Sequence, residues 1–286
     1  MDHSAFDAYA FLVSAGGRSL FYTGDFRGHG RKAELFKHKV ENLPHADVLL
    51  MEGTTIGPRS DEGFPSEEDL EKSLLEIIKE TPGVVLITTS SQNIARLVTI
   101  FKATKRSKRK FIIDFYTAEI LMRLEKYARL PQASWPRIRV CYPQLLARRF
   151  EKIDLDEILK RHRKNGIRWA RIREIENKAV MLIRPSFLYD IKKFLDLSEA
   201  TWIYSMWPGY LERSKPLRKL KTYLEEKDVR IEYLHTSGHA RLCDMTKLVS
   251  AMKPEVIIPI HSYHAEKFKD HFPNVRLVHD GEVVQL

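Results

Sequence analysis

Five side chains in this sequence have the chemistry of a hydrolytic centre: His3 in "DHS", Asp25 in "YTGDF", Glu52 in "LLMEGT", His239 in "TSGHA" and His261 in "IIPIHS". Each stands where an apolar, strand-like run begins or ends, and strand ends are where α/β proteins hold ligands and metals. Taken singly, a strand-end acid is more often a turn or cap residue, and a lone histidine is more often a hydrogen-bonded structural group. Together they form a different pattern, because imidazole and carboxylate are the ligand set of zinc hydrolases, in which an aspartate can bridge two ions.

The elements that must position them read as α/β. "AYAFLVS" (8–14), "SLFYTGD" (19–25) and "ADVLLMEG" (46–53) are short β-rich runs, and Gly16-Gly17 is a hairpin turn signal between the first two. In "FPSEEDLEKSLLEIIKE", Ser66 can cap a helix whose Leu70, Leu74, Ile77 and Ile78 recur at helical spacing. Residues 83–101, 110–127, 179–195 and 200–224 each read strand, loop, helix, which predicts a parallel sheet flanked by helices. The last stretch predicts a strand, a histidine-rich loop, a helix, a strand ending on His261 and a closing hairpin over 274–286 with Asp280-Gly281 at its turn.

Composition narrows the partner. Lys+Arg 48 against Asp+Glu 38 gives a formal charge of +10, which favours an anionic partner, nucleic acid first. The excess gathers in "FKATKRSKRKF" (101–111) and "LKRHRKNGIRWARIR" (159–173), where Trp169 and Arg173 are interleaved. A charged run is more often a solvated helix face, and that reading stays open for each. No apolar run approaches the ~18 residues of a membrane span, and no signal peptide is visible. The two cysteines, Cys141 and Cys243, stand in no metal or redox spacing. They read as small buried or half-buried residues, and a reducing cytoplasm fits.

"DHSAFDAYAFLV", "LFYTGDFR", "LLMEGT", "SGHA" and "VIIPIHSYHAEKF", in that order and with a long α/β insertion between the third and fourth, resemble the β-CASP branch of the metallo-β-lactamase fold. Ribonuclease J and the nuclease subunit of the pre-mRNA cleavage machinery belong to it. The resemblance implies an αβ/βα sandwich domain from residues 1–58 and 228–286, interrupted by a β-CASP domain over 59–227. It implies two zinc ions, with His3 a ligand, Asp25 the bridging ligand and His261 a ligand of the second ion. Glu52 and His239 fall on the family's pair, in which a carboxylate orients a histidine that protonates the leaving oxygen. "TTSSQNIARL" (88–97) resembles the family's phosphate-facing helix start, making Ser91, Asn93 and Arg96 candidates. "YSMWPGYLE" (204–212) resembles an entrance loop, adding Ser205 and Gly209, with Trp207 either a contact or a packing residue.

The family's H-x-H-x-D-H motif, which builds most of the metal site, has no counterpart among the eleven histidines. The expectation is therefore a chain truncated ahead of Met1, with an incomplete ligand set and strands 8–14, 19–25 and 46–53 lacking their partner layer. His29 reads as a loop residue. The function expected is a zinc-dependent phosphodiesterase acting on RNA. The alternatives are a nucleic-acid-binding chain without activity, or a hydrolase of the same fold with another substrate. Oligomeric state is not readable.

Overall fold

The computed structural model describes all residues except 59, 61, 62 and 286. The chain divides into two compact units, Met1–Glu67 with Ser237–Leu286, and Glu68–Thr236. The first contains β1 (Phe11–Ala15), β2 (Arg18–Tyr22), α1 (Ala33–Glu41) and β3 (Val48–Glu52). The chain continues through α2 (Glu67–Glu80), β4 (Val85–Thr88), α3 (Ile94–Arg106), β5 (Lys110–Asp114), α4 (Phe115–Arg123) and β6 (Ile138–Cys141). Next come α5 (Gln144–Glu151), α6 (Asp156–Arg161), α7 (Trp169–Arg173), β7 (Ala179–Leu182), α8 (Leu188–Phe194) and β8 (Thr201–Tyr204). Then α9 (Pro208–Arg213), α10 (Lys215–Glu225) and β9 (Arg230–Tyr233) close the second unit, and α11 (Leu242–Met252) and β10 (Val256–Ile260) return to the first.

The inserted unit is a six-stranded parallel sheet in the order β6-β5-β7-β4-β8-β9. Its central strands are unbroken apolar runs such as Val85–Thr88 and Ala179–Leu182, buried at every residue because helices cover both faces. Trp202 and Ile112 are fully buried in it, and each such side chain contributes about 1.5–3 kcal/mol of transfer free energy. β9 pairs with β8 from Thr201↔Arg230 to Tyr204↔Tyr233, which keeps the chain in this unit as far as Thr236.

The first unit is a four-stranded sheet in the order β1-β2-β3-β10. β1 is antiparallel to β2 across the Gly16-Gly17 turn, where both glycines have positive φ. β2, β3 and β10 are parallel, and β3 pairs with β10 so that Glu52 lies beside Ile260. Phe36 and Val40 of α1 and Met245, Leu248 and Met252 of α11 join Leu49, Met51 and Ile257 in one core. β3 is buried save for Leu50, whereas β1 is exposed along its whole length.

Three expectations need correction. Residues 274–286 do not form a hairpin among the described residues: Asp280-Gly281 makes a turn closed by Glu282 N–H donating to His279 at 3.0 Å, but only Val275 bridges to the sheet, at Ile257. Trp169 is no surface aromatic, since it is buried against Phe187 and Phe194 and its indole N–H donates to Tyr142 carbonyl at 3.2 Å. Cys243 is exposed, while Cys141 is buried. Among the described residues, no helix is long and apolar enough to cross a membrane.

Candidate metal centre

Asp25, Glu52, His239 and His261 bring their ligand-type atoms within 4.8 Å of one another in the first unit. The parallel register does this work. Glu52 ends β3 and His261 follows β10, so two paired strands deliver them to the same sheet edge. Asp25 lies three residues past β2, in a turn entered through Gly24 at φ +56°. His239 sits in the loop ahead of α11.

The two carboxylates have different surroundings. Glu52 is fully buried, and its Oε1 accepts from Phe26 N–H at 3.2 Å and Ala240 N–H at 3.1 Å. Its Oε2 accepts from Thr54 N–H at 3.2 Å and lies 3.2 Å from Nδ1 of His239. Every lone pair of Glu52 thus faces a protein group, so it is an orienting residue and not an open ligand. Asp25 has a side chain 38% exposed, and its Oδ1 lies 2.9 Å from Nδ1 of His261. That pair faces outward, where an ion could be approached.

Thr54 ties the edge together, its Oγ1 standing 3.1 Å from Nδ1 of His239 and 3.2 Å from Nδ1 of His261. The His239 ring packs edge-on between His261, 5.3 Å away between centroids, and His3 at 5.2 Å. His3 Nδ1 lies 2.7 Å from the carbonyl of Gly238, which fixes that nitrogen as the donor and leaves Nε2 as the ring's acceptor. A ligating histidine commonly anchors its second nitrogen on a backbone carbonyl in this way. Gly238 is required there, since a Cβ would stand 2.6 Å from Ser4 Oγ and 3.2 Å from His3 Cε1. His261 adopts φ +48°, a left-handed conformation uncommon outside glycine, at the strand end where its ring must turn toward Asp25.

Electrostatics separate the rings. Burial disfavours the charged form of His239, but the hydrogen bond and charge of Glu52 outweigh it, and its pKa is raised. Burial alone would raise the Glu52 pKa, but His239 and the Ala240 N–H hold it below the usual carboxylate value. Burial, and then the neighbouring His239, lower the pKa of His3, which keeps that ring neutral and able to act as a ligand.

Two residues beside the site escaped the sequence reading. Arg27 is fully buried: its backbone N–H donates to Asp2 carbonyl at 2.8 Å, its Nε to the Asp2 carboxylate at 3.4 Å, and one terminal nitrogen to Ser237 carbonyl at 3.3 Å. His29, read as a loop residue, is also buried, with Nε2 3.0 Å from the same Ser237 carbonyl and Nδ1 3.6 Å from Asp244. The segment after Asp25 therefore clasps both the loop bearing His3 and the loop bearing His239. The only signal was the run of glycines around Arg27 and His29, which permits such close packing.

In the inserted unit the phosphate-facing candidates are engaged within the fold. Asn93 caps α3 by accepting from Arg96 N–H at 3.1 Å. The buried Arg96 guanidinium donates to Ser205, through its carbonyl at 3.2 Å and its hydroxyl, and to Leu234 carbonyl at 3.4 Å. Ser91 is buried with Thr117 at 2.7 Å and Arg184 at 2.5 Å. Gly209 is buried beneath the Trp207 ring, where a Cβ would come within 2.2 Å of it. Trp207 is itself 45% exposed, with Arg213 over its face.

Residues 226–274, which carry His239 and His261, match the family model RMMBL, the Zn-dependent metallo-hydrolase RNA specificity domain. The likeness is to zinc-dependent metallo-hydrolases. A crystal structure of a protein of unknown function from Enterococcus faecalis superposes with a TM-score of 0.72 at 24% identity, over 97% of this chain and 60% of that one. That likeness supports the α/β fold with its parallel sheets, and the chain spans about 60% of that neighbour's length. No curated protein matches the chain.

Proposed function

We propose that this chain carries the hydrolytic centre of a zinc-dependent phosphodiesterase of the β-CASP branch, acting on RNA. The observation that carries the reading is the convergence of Asp25, Glu52, His239 and His261 within 4.8 Å, two of them inside the segment resembling an RNA specificity domain. The donor chemistry fits zinc in one exposed carboxylate on Asp25 with the His261 imidazole beside it, while His3, its Nε2 3.3 Å from Ser4 Oγ, stands beside the His239 ring and outside that group. When bound, the ion supplies Lewis-acid neutralisation of phosphate charge.

The chain's own residues supply the proton. Glu52 and Thr54 occupy Nδ1 of His239, so Nε2 is the nitrogen left to donate. Glu52 shifts the pKa of His239 upward, in the direction that favours the protonated ring a general acid for the leaving oxygen requires. Burial of Glu52 among three backbone N–H groups holds the imidazole in one orientation.

Elemental analysis of purified protein, with labelled RNA incubated in Zn²⁺ or Mn²⁺, tests this. At least one equivalent of zinc and metal-dependent cleavage are expected. Less than one equivalent, with RNA left intact, defeats the enzyme reading and favours the second one, an inactive nucleic-acid-binding chain. That alternative is motivated by the absence of the histidine-rich motif from the sequence.

A further inference from the structure

The basic run at 101–111 is not absorbed by the hydrolytic centre, and within the inserted unit it borders a cavity of about 320 Å³. The cavity is lined by Phe101 and Lys105 of α3 and by Arg129, Trp135, Pro136 and Arg137 of the segment between α4 and β6. Phe101 and Trp135 form its aromatic wall, 5.4 Å apart between centroids and tilted 59°, and Phe101 is backed by the buried Phe111. Three cations stand at the rim, and no carboxylate lines it.

Neighbouring cations are committed to the protein. Arg106 pairs with Glu71 at 3.2 Å, and Arg109 donates to the carbonyls of Gly83 and Thr81. Lys105, Arg129 and Arg137 form no ion pair among the described residues. Arg137 is held instead by its backbone, its carbonyl accepting from Phe111 N–H at 2.8 Å, while its guanidinium donates to Lys108 carbonyl at 2.8 Å.

We propose that this cavity is a binding site for one nucleotide of a single-stranded RNA, its base stacked on Trp135 and its phosphates met by Lys105, Arg129 and Arg137. An aromatic wall takes the face of an unstacked base whatever its identity, and unpaired cations around it suit the flanking backbone. An acidic peptide would satisfy the cations but leave the aromatic wall without a planar partner. The choice of RNA as the strand rests on the functional reading above; the cavity and its charge do not.

Fluorescence anisotropy of a short labelled single-stranded RNA, titrated with the full chain in chelator so that nothing is cleaved, tests the site. Trp135→Ala should weaken binding roughly tenfold, the order expected for one base stack, and Trp135→Phe should restore most of it. Lys105→Gln and Arg129→Gln should each lower the slope of log affinity against log salt by about 0.7. Arg106→Gln, which removes a cation already paired with Glu71, should leave affinity unchanged. Equal affinity for wild type, Trp135→Ala and Lys105→Gln would overturn the proposal, as would competition by polyglutamate as strong as that by unlabelled RNA. Neither outcome bears on metal content, so the hydrolase reading stands or falls separately.

Discussion

Oε2 of the fully buried Glu52 lies 3.2 Å from Nδ1 of His239, a residue reached only after the whole inserted unit has been traversed. The pair couples a fixed, desolvated carboxylate to a ring that is partly open to solvent. In the proposed reaction it divides labour with Asp25, since removing one partner should alter proton transfer and removing the other should alter metal retention. His239→Ala is expected to cut turnover by about 10²–10⁴ while zinc content is kept, whereas Asp25→Ala is expected to lose the metal. Stripping of zinc by His239→Ala, read by elemental analysis, would show the roles to be reversed.

Glu52→Gln keeps the shape but removes the charge and sets an amide N–H₂ among backbone N–H donors. A thermodynamic loss of about 1–3 kcal/mol is expected from the buried mismatch, measurable by urea unfolding. The alkaline limb of the rate profile should also move to lower pH, because the charge that raises the His239 pKa is gone. An unmoved limb would separate Glu52 from His239 function.

Stability should depend on pH through the same pair. Glu52 is depressed in the folded chain, so its contribution is present above its unfolded pKa and lost as pH falls through the lower folded value. His239 is raised, so its contribution is full below its unfolded pKa and lost as pH rises through the higher folded value. The urea midpoint of wild type minus that of Glu52→Gln should therefore be largest from pH 5 to 6 and shrink toward both extremes. A difference that stays flat with pH would contradict the ion pair.

Gly238→Ala should displace His3, because the added methyl meets Ser4 Oγ at 2.6 Å. The measurable consequence is weaker zinc retention against a chelator, with little change in the far-ultraviolet circular dichroism. Combining it with Ser4→Gly opens the space and should recover part of the retention.

Arg27→Met should be costly, since Asp2 and Glu67 are buried and lose their cation. Breaking a buried ionic network in this way costs about 3–5 kcal/mol. A change below 1 kcal/mol in chemical denaturation would mean that the clasp bears no load.

The sequence was most legible where periodicity and patterning are strongest. Unbroken apolar strands followed by amphipathic helices announced the parallel sheet. Of the five polar residues singled out at strand ends, the β3–β10 register brings Glu52 and His261 together, a turn and a loop add Asp25 and His239, and His3 stays outside that group. Side chains satisfied through tertiary contacts were illegible, because burial of an arginine or a tryptophan has no local signature. Arg96 reads as a phosphate contact until its guanidinium is found facing Ser205 and Leu234, and Trp169 reads as an exposed aromatic until Phe187 and Phe194 are found on it. Arg27 and His29 were missed for the same reason. The closing hairpin failed because a good turn at Asp280-Gly281 does not by itself supply strands able to hold a ladder.

The pairing of β3 with β10 also sets an order of events during folding. Closing a long disordered segment costs entropy that grows with its logarithm, so the two strands meet most readily once residues 68–236 have condensed and shortened the effective tether. All four tryptophans, at positions 135, 169, 202 and 207, belong to that condensing segment. In a refolding experiment, tryptophan fluorescence should recover before zinc uptake; zinc taken up first would show that the outer strands find each other unaided.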